Sequence, residues 1–233
     1  MKKIAFFIIN KLPKNFVNYL RKHYFFQQIK RNNFVSLEPE YNNLKNLIQK
    51  GDTVIDVGAN IGRYSIKLSE IVGKEGNVIA FEPMTQSFEN LTYFVNRLQI
   101  ENITLLNLAA SDETTFVSLI TENKLLFHNY LFDTDTRAKT SKAKADINNN
   151  VVYKLAIKID NLNIPTKVSL VKIDVEGNEL SVIKGMHKLI LRDYPILIIE
   201  DNEEEVADYI FNLGYRLHSL NSDSSRNSVF IKN

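Results

Sequence analysis

VIDVGANIG, spanning Val54–Gly62, joins a short β-branched run to a turn that carries two glycines, Gly58 and Gly62. With Thr53 in front, TVIDV reads as a buried strand, a short apolar run bounded by turn residues. Beyond the turn, Tyr64, Ile66, Leu68 and Ile71 are available to pack on one side of a helix. Glycines at a strand-to-helix junction let the backbone turn sharply and bring a ligand close, with no Cβ in the way.

Outward from this turn, β-branched runs alternate with amphipathic stretches, which predicts a parallel sheet covered by helices. NVIAFE (77–82) is the second strand. Residues 85–98 form the next helix, with Phe88, Leu91, Phe94, Val95 and Leu98 at helical spacing. NITLLNLAA (102–110) reads as the third strand. Residues 113–158 then break the rhythm. FVSLI and VVYKLAIKI have strand character, and the Lys- and Asn-rich stretch 134–150 between them has little apolar surface to bury, so a mobile loop or lid is expected. Alternation resumes with SLVKID (169–174), a helix over 179–191, PILIIE (195–200) and a helix over 204–213. GYRLHSL (214–220) and SVFIK (228–232) follow without a helix between them, so an antiparallel hairpin should close the sheet edge. The expected organisation is a basic helical arm, 1–45, and one catalytic domain, 46–233, with an insertion at 113–158.

The 233 residues contain no cysteine, which removes disulfides, thiolate metal sites and a Cys nucleophile, and favours a reducing compartment. Residues 1–37 carry eight Lys/Arg and no Asp or Glu; the remaining 21 basic and 27 acidic residues leave the body net negative. The apolar run Ile4–Ile9 is too short for a signal peptide core, and no stretch is long enough for a spanning helix. A cytoplasmic protein is expected. Its basic, aromatic N-terminus is suited either to packing on a protein surface or to peripheral contact with an anionic membrane.

Charge selects the ligand of the turn. A dinucleotide would place pyrophosphate at this helix N-terminus, where Asp56 is unfavourable. S-adenosylmethionine (SAM) instead presents an ammonium and a sulfonium, which suit a nearby carboxylate. Glu82 ends the second strand, where an acid bonds ribose hydroxyls. Ser111 and Asp112 end the third, where an adenine amino group can be capped. Three parallel strands thus end in polar groups along one edge, the edge at which open α/β sheets bind ligands.

VKIDVEGNEL (Val171–Leu180) places Lys172, Asp174, Glu176 and Glu179 at a later strand-to-helix junction of the same sheet. Together with VIDVGANIGRYSI, FEPMTQSFENL and NLAASD, this block resembles the FkbM-type methyltransferase family over roughly residues 51–230. The resemblance implies a Rossmann-like class I methyltransferase: a seven-stranded, mostly parallel sheet with a reversed last strand and helices on both faces. It implies O-methylation of a sugar, glycan or other small hydroxyl-bearing acceptor with SAM as cofactor. Cofactor contacts are expected at Asp56, Gly58, Ala59, Asn60, Gly62, Glu82, Ser111 and Asp112, and a catalytic acidic pair at Asp174 and Glu176. The arm and residues 121–150 fall outside the matched blocks and are expected to carry acceptor specificity.

A hydroxyl acceptor must lose its proton, to a side chain or through a metal. Asp174 and Glu176 are the candidate bases, ahead of His128 and His187. The alternative is a Mg²⁺-dependent small-molecule or RNA 2′-O-methyltransferase, with Asp174, Asp201 and Asn202 around the ion after the end Glu200-Asp201-Asn202. A non-catalytic SAM-binding module is a further alternative. The acidic body lacks the basic footprint of a nucleic-acid partner. The turn also lacks the G-x-G-x-x-G spacing of a nicotinamide enzyme.

Overall fold

The computed structural model describes residues 13–121, 138–141, 150–200, 204–218 and 227–233. The chain divides into two units, and residues 13–35 are the described part of the smaller. These contain helix α1 (Lys14–Lys30), in which Val17, Phe25 and Phe26 are buried.

The larger unit begins at Ser36. Its helices are α2 (Pro39–Leu47), α3 (Arg63–Val72), α4 (Thr85–Leu98), α5 (Glu179–Gly185), α6 (His187–Asp193) and α7 (Glu204–Asn212). Its strands are β1 (Thr53–Val57), β2 (Asn77–Phe81), β3 (Ile103–Leu106), β4 (Ala109–Ala110), β5 (Thr115–Thr121) and β6 (Ala138–Ser141). They continue with β7 (Asn150–Ile157), β8 (Val168–Ile173), β9 (Ile196–Glu200), β10 (Tyr215–Leu217) and β11 (Asn227–Lys232).

Seven strands form the main sheet in the order β10-β11-β9-β8-β1-β2-β3. β3, β2, β1, β8 and β9 are mutually parallel, and β11 runs antiparallel to both of its neighbours, β9 and β10. This is the expected sheet with its reversed last strand. Burial on both faces explains why the central strands read as nearly continuous apolar runs. All five residues of β1 are buried. Val54, Val78, Leu170 and Ile198 pack with Tyr41 and Leu44 of α2 and Tyr64, Leu68 and Val72 of α3. On the other face Ile55, Val57, Val171, Ile173, Leu197 and Ile199 pack with Val182 and Ile183 of α5, Ile190 of α6 and Ile210 of α7.

Two elements differ from the sequence pattern, each because of a contact distant in sequence. The expected strand 102–110 divides: β3 stays in the main sheet, whereas β4 pairs with β7 in a second sheet of order β4-β7-β5-β6. Asn107 marks the division. Its Nδ2 donates to the carbonyls of Glu82 (2.7 Å) and Pro83 (3.2 Å), which ties the end of β3 to the loop after β2. The expected helix 179–191 breaks at Met186 into α5 and α6. The carboxylate of Asp160, remote in sequence, accepts the N–H groups of Lys188 (3.0 Å) and Leu189 (2.9 Å) and so caps a fresh helix start. Within 134–150, expected as a loop, Ala138–Ser141 is strand β6, paired with β5; positions 134–137 and 142–149 lie outside the described residues.

Candidate active site

β1 and β8 pair up to their carboxyl ends, where the Asp174 N–H donates to the Val57 carbonyl at 2.9 Å. The first glycine turn is therefore pressed against the second strand end. Gly58 has φ +84°, and a Cβ there would lie 1.8 Å from the Asp174 carbonyl oxygen, so both conformation and space require glycine. Gly62 has φ +93° and begins α3; a Cβ there would meet Leu91 Cδ1 at 2.4 Å.

The turn is also fastened to the end of β2. The N–H groups of Gly58 and Ala59 both donate to the Phe81 carbonyl at 2.9 Å. Asn60, at φ 52°, donates its N–H to Glu82 Oε2 at 2.7 Å, and Met84 N–H donates to Glu82 Oε1 at 2.7 Å. Glu82 is buried, and burial pushes its carboxyl up to about 7 against the opposing effect of those two backbone donors. One carboxyl group thus clips two loops together and keeps spare lone pairs for a further donor.

Asp56 stands one residue inside the end of β1, 1% exposed. Its Oδ2 accepts from Ser65 Oγ at 2.5 Å, while Oδ1 is buried with no hydrogen-bond partner among the described residues. Burial raises its pKa and the charge of Lys172 opposes that. Lys172 is its register partner on β8 and is only 2% exposed. The Lys172 ammonium contacts Asp174 Oδ2 at 2.8 Å and sits 4.5 Å from the centre of the Tyr64 ring. Burial works to lower its pKa, but the charges of Asp174 and Asp56 outweigh that and hold the ammonium charged. Alternation along the strands puts Asp56 and Lys172 on the face covered by α3, at the point where apolar Val54 and Leu170 give way to polar positions.

Asp174, Glu176 and Glu200 each bring a carboxylate oxygen to within 4.8 Å of the others. The hydrogen bond with Asp174, then burial and the Asp174 charge, push the Glu200 carboxyl up to about 9. Glu176 and Gly177 both have positive φ, +56° and +96°. The buried Glu179 holds this tight loop, its carboxylate accepting the N–H groups of Val175 (3.2 Å) and Gly177 (3.0 Å). Three convergent carboxylates offer oxygen donors that could accept a cation or a proton.

Ser111 donates its N–H to the Ile157 carbonyl at 3.0 Å and its Oγ–H to Asp112 Oδ1 at 3.1 Å. The segment lies against α5, since a Cβ on Gly185 would fall 1.9 Å from the Ser111 carbonyl oxygen. Asn178 Nδ2 reaches the Ala110 carbonyl at 3.3 Å, joining this segment to the loop after β8. Direct contacts therefore bring the turn 58–62, Glu82 and Asp174 together, and Glu176 joins through the carboxylate cluster. His187 Nδ1 lies 3.0 Å from the Tyr209 hydroxyl, on the helical side of the fold. His128, Asp201 and Asn202 lie outside the described residues.

Sequence reading did not assign the buried ammonium of Lys172 or the pairing of Glu200 with Asp174. The i, i+2 spacing of Lys172 and Asp174 on one strand face was the available signal for the first. For the second, only the order of β8 and β9 in the sheet brings the two acids side by side.

Residues 56–217 match the family described as Methyltransferase FkbM domain. Over 142 residues the chain is 30% identical to hexuronic acid methyltransferase AglP of Haloferax volcanii, a match covering 59% of this chain and 51% of that protein. It is similar in fold to methyltransferase FkbM from Methylobacillus flagellatus KT, with a TM-score of 0.55 and 20% identity over 83% of this chain and 50% of that one. The chain spans about half the length of each relative. With the family matched from Asp56 to Leu217, the chain belongs to the FkbM methyltransferase domain family, and its seven-stranded, mostly parallel sheet with one reversed strand is the class I fold that uses S-adenosylmethionine as methyl donor.

Proposed function

We propose that this chain transfers a methyl group from SAM to a hydroxyl of a sugar or glycan-like acceptor. The observation that carries the reading is the set of three carboxyl groups: Asp174 and Glu176 in the loop after β8, which abuts the glycine turn at Gly58, and Glu200 at the end of β9. In this reading Asp56, Gly58, Ala59, Asn60 and Gly62 form the bed for the methionine part of SAM. Glu82 takes the ribose hydroxyls, and Ser111 with Asp112 borders the adenine. The carboxylates favour the sulfonium charge and line the path of an acceptor. An oxygen–carbon bond forms as the carbon–sulfur bond breaks; the hydroxyl proton passes to Asp174 or Glu176, and sulfur leaves neutral. Positioning supplies much of the rate and the base the remainder. The likeness to a hexuronic acid methyltransferase supports a sugar acceptor. Residues 1–45 and 121–150 are proposed to select it.

The test is transfer of isotope-labelled methyl from SAM to a panel of free and lipid-linked glycans, including uronic acids. Asp174→Asn and Glu176→Gln should each lower turnover by about 10²-fold or more while SAM affinity by calorimetry changes less. Full turnover in both variants would remove these acids as bases, and no label in any hydroxyl acceptor would remove the O-methylation reading. Loss of turnover in a chelator, restored by Mg²⁺, would favour the metal-assisted form of the reaction.

A further inference from the structure

α1 has a second face besides its buried one. Phe16, Tyr19, Leu20 and Tyr24 are 47%, 64%, 40% and 38% exposed. They follow i, i+3, i+4, i+8 spacing and so form one stripe, with exposed His23 as its polar member. Phe25 on the opposite side is buried, as are Val17 and Phe26 at the two borders of the stripe, so the helix already has an inner face distinct from the exposed one. A contiguous group of large apolar side chains exposed on a helix marks an interaction surface.

The basic composition of this segment selects the partner of the stripe. Residues 1–37 contain eight Lys/Arg and no acid, and Lys30 and Arg31 are exposed where the helix ends. We propose that this face of α1 lies on an anionic lipid bilayer, its rings at headgroup depth and the exposed Lys30 and Arg31 against lipid phosphates. Tyrosine suits that boundary, with an apolar ring below and a hydroxyl in water. A second copy of the same arm is the less suitable occupant, because two all-basic segments would face each other. No helix among the described residues is long and apolar enough to cross a membrane, so the contact is along the surface.

The experiment is sedimentation of the full chain with large vesicles of phosphatidylcholine alone, and of phosphatidylcholine with phosphatidylglycerol as about one lipid in three. Partition onto the anionic vesicles should exceed that onto neutral ones by about tenfold or more and fall as salt rises. The combined variant Phe16→Ser, Tyr19→Ser, Leu20→Ser, Tyr24→Ser should lose about tenfold or more of that partition. Because all four side chains are exposed, its melting temperature should stay at the wild-type value, which separates lost docking from lost fold. Lys30→Ser with Arg31→Ser should weaken anionic binding alone. Equal binding to both vesicle types, or unchanged binding by the quadruple variant, overturns the proposal. A dimer seen by light scattering and dissolved by the quadruple variant, without vesicle binding, overturns it in favour of a second copy. Retention of a single-stranded RNA under the same conditions overturns it in favour of nucleic acid. None of these outcomes depends on methyl transfer.

Discussion

At the scale of single residues, Glu82 is the group whose protonation links stability to pH. It is held up to about 7 by burial, whereas a glutamate in the unfolded chain titrates near ~4.3. Below the unfolded value both states hold the proton and burial of the group carries no charge penalty. As pH rises toward 7 the unfolded chain releases the proton first, so stability is lost across that window and levels off above it. Between about pH 5 and 8 the ligand-free wild type should lose roughly 2–3 kcal/mol relative to Glu82→Gln, read from thermal melts of both at each pH. Parallel curves for the two proteins would show that Glu82 titrates as in water. Lys172 has the opposite character: a buried cation whose charge is held by the acids around it, with no solvent contact to replace them.

At the scale of elements, the loop between β8 and α5 depends on one side chain. Glu179 accepts two backbone N–H groups of that loop, and Glu176 within it holds a left-handed conformation uncommon for a residue with a Cβ. Its negative charge in the first turn of α5 also meets the positive end of the helix dipole. Glu179→Ala should cost about 1–3 kcal/mol in melting experiments. It should also lower turnover, because Glu176 and Asp174 lose their fixed placement; Glu179→Gln, which keeps an acceptor, should recover part of both. Unchanged turnover in the alanine variant would mean that the loop is held by its strands alone. A similar dependence on remote groups divides β3 from β4 at Asn107 and α5 from α6 at Met186.

At the scale of the whole molecule, pairing of β1 with β8 places two loops from opposite halves of the domain on one edge, so that a ligand between them stabilises the sheet as a unit. SAM at about a hundred times its Kd should raise the unfolding free energy by about 2.7 kcal/mol and the melting temperature by several degrees. S-adenosylhomocysteine, which lacks the sulfonium charge, should give a smaller shift at equal concentration if the acidic loop faces that charge; an equal shift would place the charge elsewhere. The positions of Asp56, Gly58, Gly62, Glu82 and Asp174, at the strand ends and in the glycine turn, were legible in the sequence. A left-handed turn favours glycine by local backbone sterics, and the edge at which a strand-end residue stands follows from the direction of its own strand. The sheet followed for the same reason, since apolar periodicity reports which residues are buried without reference to a partner. The carboxylate set, the raised pKa of Glu200 beside Asp174, and the buried ammonium of Lys172 were decided only by tertiary structure. These depend on which strand lies beside which and on exclusion of water. Both are set by strand order and register in the folded sheet, distances that spacing along the chain does not encode.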